Sequence, residues 1–592
     1  MTRKSISPSV IEKPQDSKKT LSKLFTYVRD VKWLFVLAII LTLSANGLQL
    51  LGPYLTGNVI DIISLKQDPN AWNNVLKYVL WMLVLYVVSS ILMYALSSLM
   101  IYISQRIVVK MRQDLFNKFL DLPVSYFDKH QIGDMLSRIS YDIDTINTSL
   151  SSDLVQLFGS MIVVFGAFMM MLWISLPLLS VFFITIPLSI LTTRFLTRRT
   201  RPLFRERSRK LGDMNGYIEE TISGLKTIKA YSQQDSMINS FKEKNNDASV
   251  AYYKADYYGS IVGPTVGFIN NISLTLISVF GSILFLFNMI SIGNISSFLL
   301  YSRKFSGPIS ESANMVAELQ STLAAAERVF RVLDEPIEQD AEDGLTLNQP
   351  VLGDIKFEHV NFGYLPNKPI LKDVNINIKA GQLVAIVGPT GAGKTTLINL
   401  IMRFYSPDSG RILVDGVDIA QLSQSELRSS FSMVLQDSWL FYGSIYDNLI
   451  YGNEHATKED VIRIAKEVHI HNFIERCKNG YHTLISDDGV NLSKGQRQLI
   501  TIARAMLANK PMIILDEATS NVDTLTEKRI QSAMVKLMHE KTCFVIAHRL
   551  STIINADIIL VVHDGNVVEQ GSHTELMSKK GHYYHLYMAQ FA

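Results

Sequence analysis

Cysteine is almost missing from this chain. Cys477 and Cys543 are the only two in 592 residues. Both fall in the half that the charge pattern assigns to the cytoplasm, so no structural disulfide is expected. Charge is also scarce: charged residues make up 19% and hydrophobic ones 48%, against roughly 25% charged in soluble domains. A net charge of +3 gives no case for nucleic acid as a partner. No tandem repeat is visible. Residues 1–18 are polar and hold no apolar h-region, so they read as a disordered tail without a cleaved signal peptide. The length calls for two or three domains.

The charge deficit is concentrated. Residues 33–60, 78–105, 154–193 and 257–302 contain no Asp, Glu, Lys or Arg. A bilayer core takes about 20 apolar residues as helix. The first two runs hold one span each. The third, with Pro177 near its middle, and the fourth, with Asn288, Gly293 and Asn294, hold two each. Six spans are therefore predicted, at about 33–55, 78–103, 154–175, 177–196, 261–287 and 291–310. Segments 1–32, 106–153 and 194–256 carry 8, 6 and 13 Lys and Arg, whereas 61–77 carries only Lys66 and Lys77. The N-terminus and the two long loops are thus expected in the cytoplasm.

Within this frame, Lys19–Lys32 alternates Leu21, Leu24, Phe25 and Val28 with charges at helical spacing. That suits an amphipathic helix on the cytoplasmic membrane face, and equally a packed surface helix. The two long loops are too long to be structureless. They read as helical extensions of the spans, with tips near Pro123–Gly133 and Gly224–Gln233. The membrane part is thus drawn as 19–333 and an acidic, Pro- and Gly-broken linker as 334–352. From 353 to 592, short β-branched runs such as Leu383–Val387 and Met512–Leu515 alternate with helical stretches, which implies an α/β domain with a largely parallel sheet.

Two motifs there carry chemistry. Gly388, Pro389, Thr390, Gly391, Ala392, Gly393, Lys394, Thr395 and Thr396 follow the apolar run Leu383–Val387 and fit the P-loop pattern. Glycines let backbone N–H groups curl around phosphates, and the helix that follows points its positive end at them. Lys394 is placed to reach the β- and γ-phosphates, and the Thr395 hydroxyl to ligate Mg²⁺. Downstream, the apolar strand from Met512 ends in Asp516 and Glu517. Asp516 would hold Mg²⁺ through water and Glu517 would polarise an attacking water.

Between them stands Leu492-Ser493-Lys494-Gly495-Gln496, one letter from the LSGGQ signature of ATP-binding-cassette (ABC) ATPases. Residues 353–592 resemble an ABC nucleotide-binding domain with its landmarks in the family's order. The resemblance implies that Tyr364 stacks on adenine, that Gln436 contacts Mg²⁺, and that Asp523 lies in the D-loop at a dimer interface. It also implies that His548 contacts the γ-phosphate, and that Ser493, Lys494, Gly495 and Gln496 act on ATP held by a partner subunit. The first 340 residues are similar to the membrane domain of ABC exporters. The fold class implied is a membrane α-helical bundle with six transmembrane helices and long cytoplasmic extensions, joined to an α/β P-loop NTPase domain of ABC type.

Two departures from the family pattern fall on the partner-facing surface. Lys494 replaces a glycine, at a cost of about 1 kcal/mol or more if that position needs positive φ or a very close backbone approach; pointing to solvent, or attracting phosphate, it would cost nothing. Upstream, Ser486 and Asp487 stand where the family usually has Gly and Glu. Lys394, Asp516, Glu517 and His548 are intact. The asymmetry resembles one subunit of a bacterial heterodimeric multidrug exporter, paired with a second ABC half-transporter; a homodimer is the alternative. The expected activity is ATP-driven export of hydrophobic or amphiphilic compounds across the plasma membrane. Two further readings stand beside it: a homodimeric lipid or peptide exporter or flippase, and a nucleotide-gated regulator or channel. Phe165, Phe168 and Met169–Met171 could line an adaptable substrate pocket, or simply pack.

Overall fold

In a computed structural model, the described residues are 16–64, 70–338, 340, 345–366, 368–436, 438–485, 492–516, 523–547 and 550–591. Of the tail expected at 1–18, residues 1–15 lie outside them, as do Ser486, Asp487, Glu517 and His548, whereas Asp16 caps a helix that Ser17 and Lys18 begin. The chain forms two compact units. One comprises residues up to Asp121 and His130–Glu335, the other Leu122–Lys129 and Pro336 onward.

The first unit is helical. The charge-poor runs lie in helices Lys32–Ser64, Ala71–Asp121, Leu154–Ile174, Leu176–Ser223, Val262–Leu286 and Ile292–Asp334, apart from 257–260 at the end of helix Gln234–Ser260 and short breaks at 175, 261 and 287–291. Ala71–Asp121 has 51 residues and Leu176–Ser223 has 48. At 1.5 Å per residue each is more than twice as long as a bilayer core is thick. The long loops are therefore continuations of helices. Breaks occur at Ser175, before Pro177, and at Gly224, which caps its helix. The rod leading into Leu154–Ile174 is not uniform, for two π-helical turns interrupt it at Arg138–Asp142 and Ser149–Asp153.

Among the described residues, five helices are long and apolar enough to cross a membrane by length and composition. Ile292–Asp334, which contains the sixth predicted span, is not among them. Arg303, Lys304 and several small polar residues dilute that helix. It is instead bound closely to Lys32–Ser64. Tyr301 donates to the Leu50 carbonyl at 2.5 Å and Ser297 to the Pro53 carbonyl at 2.8 Å. A Cβ on Gly293 would lie 2.0 Å from the Gly57 carbonyl oxygen, so glycine is what permits this approach. Asp61 accepts from Ser291 Oγ and Gly293 N at 2.6 and 2.7 Å.

The Met- and Phe-rich stretch divides between two environments. Ala167 and Met171 are buried, and Phe168 packs beside Phe305 in a core shared with Phe182 and Phe298. Phe165 and Met169 are exposed. Helix Ser17–Arg29 packs rather than merely floats: Tyr27 donates to Asp114 at 2.9 Å, Lys23 pairs with Asp334, and Leu21 and Phe25 stay outside.

The second unit contains the α/β fold expected from the alternating runs. Six strands lie in the order Asn566–Gly571, Ile558–His563, Leu383–Val387, Thr542–Ile546, Met512–Asp516 and Phe431–Val434. All pairs are parallel except the edge pair formed by Asn566–Gly571. Val384–Val387 and Met512–Leu515 are buried throughout, as parallel strands covered on both faces must be. A second, antiparallel sheet orders Leu371–Ile378, Ile355–Phe362, Ser409–Val414 and Val417–Asp418. Cys477 and Cys543 are free thiols.

Candidate functional site

Parallel registry decides where the motifs meet. Ile386 pairs with Ile546, Ile546 with Asp516, and Leu515 with Val434. Four neighbouring strands therefore end along one sheet edge. Gly388, Asp516 and Gln436 lie at or just beyond these ends. In open α/β sheets, this carboxyl edge is where ligands bind. In sequence, Glu517 follows Asp516 and His548 follows Ala547 directly after Ile546; their own placement is outside the described residues.

The loop from Gly388 to Gly393 joins strand Leu383–Val387 to helix Lys394–Ile401. Gly388 has φ 152° and Gly393 φ 111°, a region that favours glycine. A Cβ at Gly388 would lie 2.2 Å from the Val562 carbonyl oxygen. Any side chain would thus push the loop off the sheet. Pro389, Thr390, Gly391 and Thr395 are exposed, while Ala392 and Thr396 are buried. Lys394 bends back over the loop, donating to the Gly388 and Pro389 carbonyls at 2.7 and 3.0 Å. Burial pushes its pKa below the ordinary lysine value, and the nearby Asp516 charge works the other way. A phosphate entering this cradle would meet a cation and backbone donors in a partly desolvated pocket, which fits a polyphosphate.

Donors for a divalent cation are of the type Mg²⁺ uses. Thr395 brings a hydroxyl, Gln436 an exposed amide and Asp516 a carboxylate, and Mg²⁺ usually keeps several waters. Among the described residues no three His, Cys, Asp or Glu cluster as a dedicated metal cage.

Tyr364 follows strand Ile355–Phe362. Its hydroxyl lies 3.3 Å from Thr396 Oγ1 and accepts from Asn399 Nδ2 at 3.1 Å. Thr396 thus turns its side chain toward Tyr364. Sequence reasoning missed a neighbour: Tyr405 presents its ring to Tyr364 at 4.9 Å and 88°. No local motif distinguishes Tyr405, and only the folded contact could have found it.

At the signature, Ser493 is the N-cap of helix Lys494–Ala508. Its Oγ accepts from Gln496 N, and the Gln496 side chain accepts from Ser493 N at 2.9 Å. Capping uses acceptor lone pairs, so the Ser493 O–H proton remains able to donate. Lys494 occupies the first helical position and is not among the positive-φ residues. The positive-φ condition for backbone strain at Lys494 is therefore not met. What changes with Lys is side-chain bulk and a positive charge at the positive end of a helix. Gly495 is buried behind it. Asp523 N-caps helix Thr524–Met538, accepting from Thr526 N at 2.9 Å, which holds its carboxyl below the usual range.

Comparison with known proteins agrees with this geometry. Residues 35–309 match the family model for the ABC transporter transmembrane region, and residues 371–520 the family model for the ABC transporter. The chain is 41% identical over 581 residues to YfiC, an ABC transporter ATP-binding protein of Bacillus subtilis (strain 168), covering 98% of this chain and 95% of that protein. It is 45% identical over 479 residues to a fatty acid ABC transporter ATP-binding/permease protein of Mycobacterium tuberculosis, covering 81% and 76%. An ATP-dependent lipid A-core flippase of Nitrosococcus oceani is 32% identical over 576 residues, with 96% and 95% covered. A solved structure of a bacterial Atm1-family ABC exporter with ATP bound superposes with TM-score 0.77 at 26% identity, covering 95% of this chain and 99% of that one. This chain belongs to the ABC exporters, as a half-transporter that joins a membrane-spanning region to an ATP-binding domain whose hydrolysis of ATP is coupled to transport.

Proposed function

We propose that this chain is one half of a heterodimeric exporter that moves hydrophobic or amphiphilic compounds outward across the plasma membrane. The observation that carries the catalytic part is the convergence of the P-loop, Asp516 and Gln436 at one carboxyl edge of the parallel sheet. Backbone N–H groups of residues 388–396 hold the phosphates, and Lys394 exchanges its two carbonyl partners for phosphate oxygens. Thr395, Gln436 and, through water, Asp516 hold Mg²⁺, which would neutralise charge on the phosphates. Glu517 polarises the attacking water and His548 contacts the γ-phosphate. Tyr364 stacks on the base. Ser493, Lys494, Gly495, Gln496 and Asp523 face the nucleotide of the partner.

In the membrane, six spans per chain make twelve per dimer. The sixth lies on the less apolar helix Ile292–Asp334, whose hydrogen bonds to Lys32–Ser64 satisfy polar groups that lipid would not. The N-terminus and ATPase domain are cytoplasmic, in line with the Lys and Arg bias.

The unequal pairing rests on Lys494 beside an intact Lys394, Asp516, Glu517 and His548. With no positive-φ strain at Lys494, the effect assigned to it is steric and electrostatic, on the partner's nucleotide. The site on this chain's own P-loop does the hydrolysis. Substituting Glu517→Gln in the purified complex is expected to abolish most ATP turnover and ATP-dependent dye uptake into inside-out vesicles. Near-normal turnover would sink this assignment. Nucleotide binding without vectorial uptake in the wild type would favour a regulator instead.

A second reading has specific support: two relatives are named for fatty acid and for lipid A-core. The amphiphile would then be a lipid and the dimer could be homodimeric. Uptake of a fluorescent fatty acid, with no uptake of cationic dyes, by the chain purified alone would select it.

A further inference from the structure

The ring assigned to base stacking is held by two neighbours. Tyr364 meets Phe362 at 5.0 Å and 83°, and Tyr405 at 4.9 Å and 88°; Phe362 and Tyr405 meet at 5.6 Å and 64°. Three rings thus close a triangle of edge-to-face contacts, the arrangement that aromatic quadrupoles prefer. One corner is fixed by the P-loop helix, through Thr396 and Asn399. Another is fixed from elsewhere. The Tyr405 hydroxyl donates to Asp128 Oδ2 at 2.5 Å. Burial and the adjacent carboxylate both push the phenol pKa above its ordinary value, so the proton stays on Tyr405.

Asp128 lies on the short helix Val124–Lys129, which belongs to the ATPase unit although in sequence it links helix Ala71–Asp121 to the rod that begins at Ile132. It sits at the tip of the first long helical hairpin. The contact Asp128–Tyr405–Tyr364 therefore runs from the sequence of the membrane region to the face proposed to receive the base.

We propose that Asp128 and Tyr405 are positioning residues for the base-stacking ring: the Asp128 carboxylate orients Tyr405, Tyr405 orients Tyr364, and base binding is thereby tied to the first hairpin tip. The inference rests on Tyr364 as the stacking residue and goes beyond it. A relay of this kind acts on the base and leaves the phosphate cradle alone. It also predicts no discrimination among bases, because stacking uses the face that every base has.

The experiment uses the full transporter purified as its complex, with Tyr364→Ala, Tyr405→Phe, Asp128→Ala and Asp128→Asn. The Michaelis constant and turnover for ATP are measured, together with the affinity for tripolyphosphate, which fills the cradle but has no base. Tyr405→Phe keeps the ring and loses only the hydroxyl. It and Asp128→Ala are expected to raise KM for ATP about 3- to 5-fold, the scale of one lost hydrogen bond, with kcat and tripolyphosphate affinity unchanged. Asp128→Asn keeps an acceptor oxygen and should stay within about twofold of wild type. Weakened ATP binding in Tyr364→Ala alone, with Tyr405→Phe and Asp128→Ala unchanged, overturns the relay. No effect of Tyr364→Ala overturns the stacking assignment beneath it. Equal losses for ATP and tripolyphosphate would mean general damage and overturn the positioning role, as would Asp128→Asn behaving like Asp128→Ala.

Discussion

The P-loop glycines offer a graded test of the phosphate cradle. Gly388 and Gly393 both have positive φ, so alanine at either carries a comparable left-handed penalty, about 1–2 kcal/mol. They differ in what a Cβ would meet. At Gly393 it lies 2.9 Å from Leu371 Cδ2, the end of a flexible side chain that can turn aside. At Gly388 it lies 2.2 Å from the Val562 carbonyl oxygen, on a strand paired with Leu383–Val387. That oxygen cannot withdraw without disturbing the sheet, so the loop must move instead. Gly393→Ala should then weaken ATP binding by roughly 5- to 30-fold, the strain alone. Gly388→Ala should exceed that and approach complete loss. The assay is equilibrium binding of ATP without Mg²⁺, which avoids turnover, with thermal melting of the nucleotide-free protein as control. If Gly393→Ala proves as damaging as Gly388→Ala, steric exclusion at Val562 is not what shapes the loop.

Other outcomes follow from the same geometry. Lys494→Gly should raise ATP turnover of the complex severalfold if the lysine hinders the partner's site; unchanged turnover would mean that Lys494 is innocuous. Arg328 grips the buried Asp142 through two hydrogen bonds, at 3.0 and 2.5 Å, so Arg328→Gln should destabilise the helical unit by roughly 2–4 kcal/mol, read as a lowered melting temperature. Asp142→Asn added to it should recover part of that loss. Gly293→Ala should lower the melting temperature more than Gly307→Ala, because only the first Cβ meets backbone. Burial pushes the Cys543 thiol up to about 12. It therefore stays protonated far above neutral pH while the unfolded thiol ionises, and maleimide should label Cys477 alone in the native protein and both cysteines after unfolding.

Much of the architecture was readable from one-dimensional pattern. Uninterrupted absence of charge over 28 to 46 residues leaves a helix in lipid as the natural outcome, and helices cover those runs except for short breaks. The proposed P-loop is a local pattern, with glycines, a lysine and a hydroxyl within nine consecutive residues, and the structure folds it as a glycine-bent turn between a strand and a helix. The sixth span was less legible. Its helix is less apolar than the others, and it is held by hydrogen bonds to Leu50 and Pro53 far away in sequence. The Lys494 argument also needed coordinates. A glycine in a motif suggests special backbone, yet here the position is an ordinary first helical turn. The Met-rich stretch reads as one feature in sequence but is divided by helix facing between core and surface.

What the sequence alone determined is therefore what short segments determine by themselves: which stretches are helical and apolar, where the glycine-rich loop stands between strand and helix, and which family the order of motifs resembles. What tertiary structure decided is which of these meet. Strand order places Gly388, Asp516 and Gln436 on one edge although they are separated by up to 128 residues, and packing sets Tyr405 between Tyr364 and Asp128. The physical reason is that a helix or a loop is specified by neighbours along the chain, whereas a site is specified by hydrogen-bond registry and shape between segments that are distant in sequence.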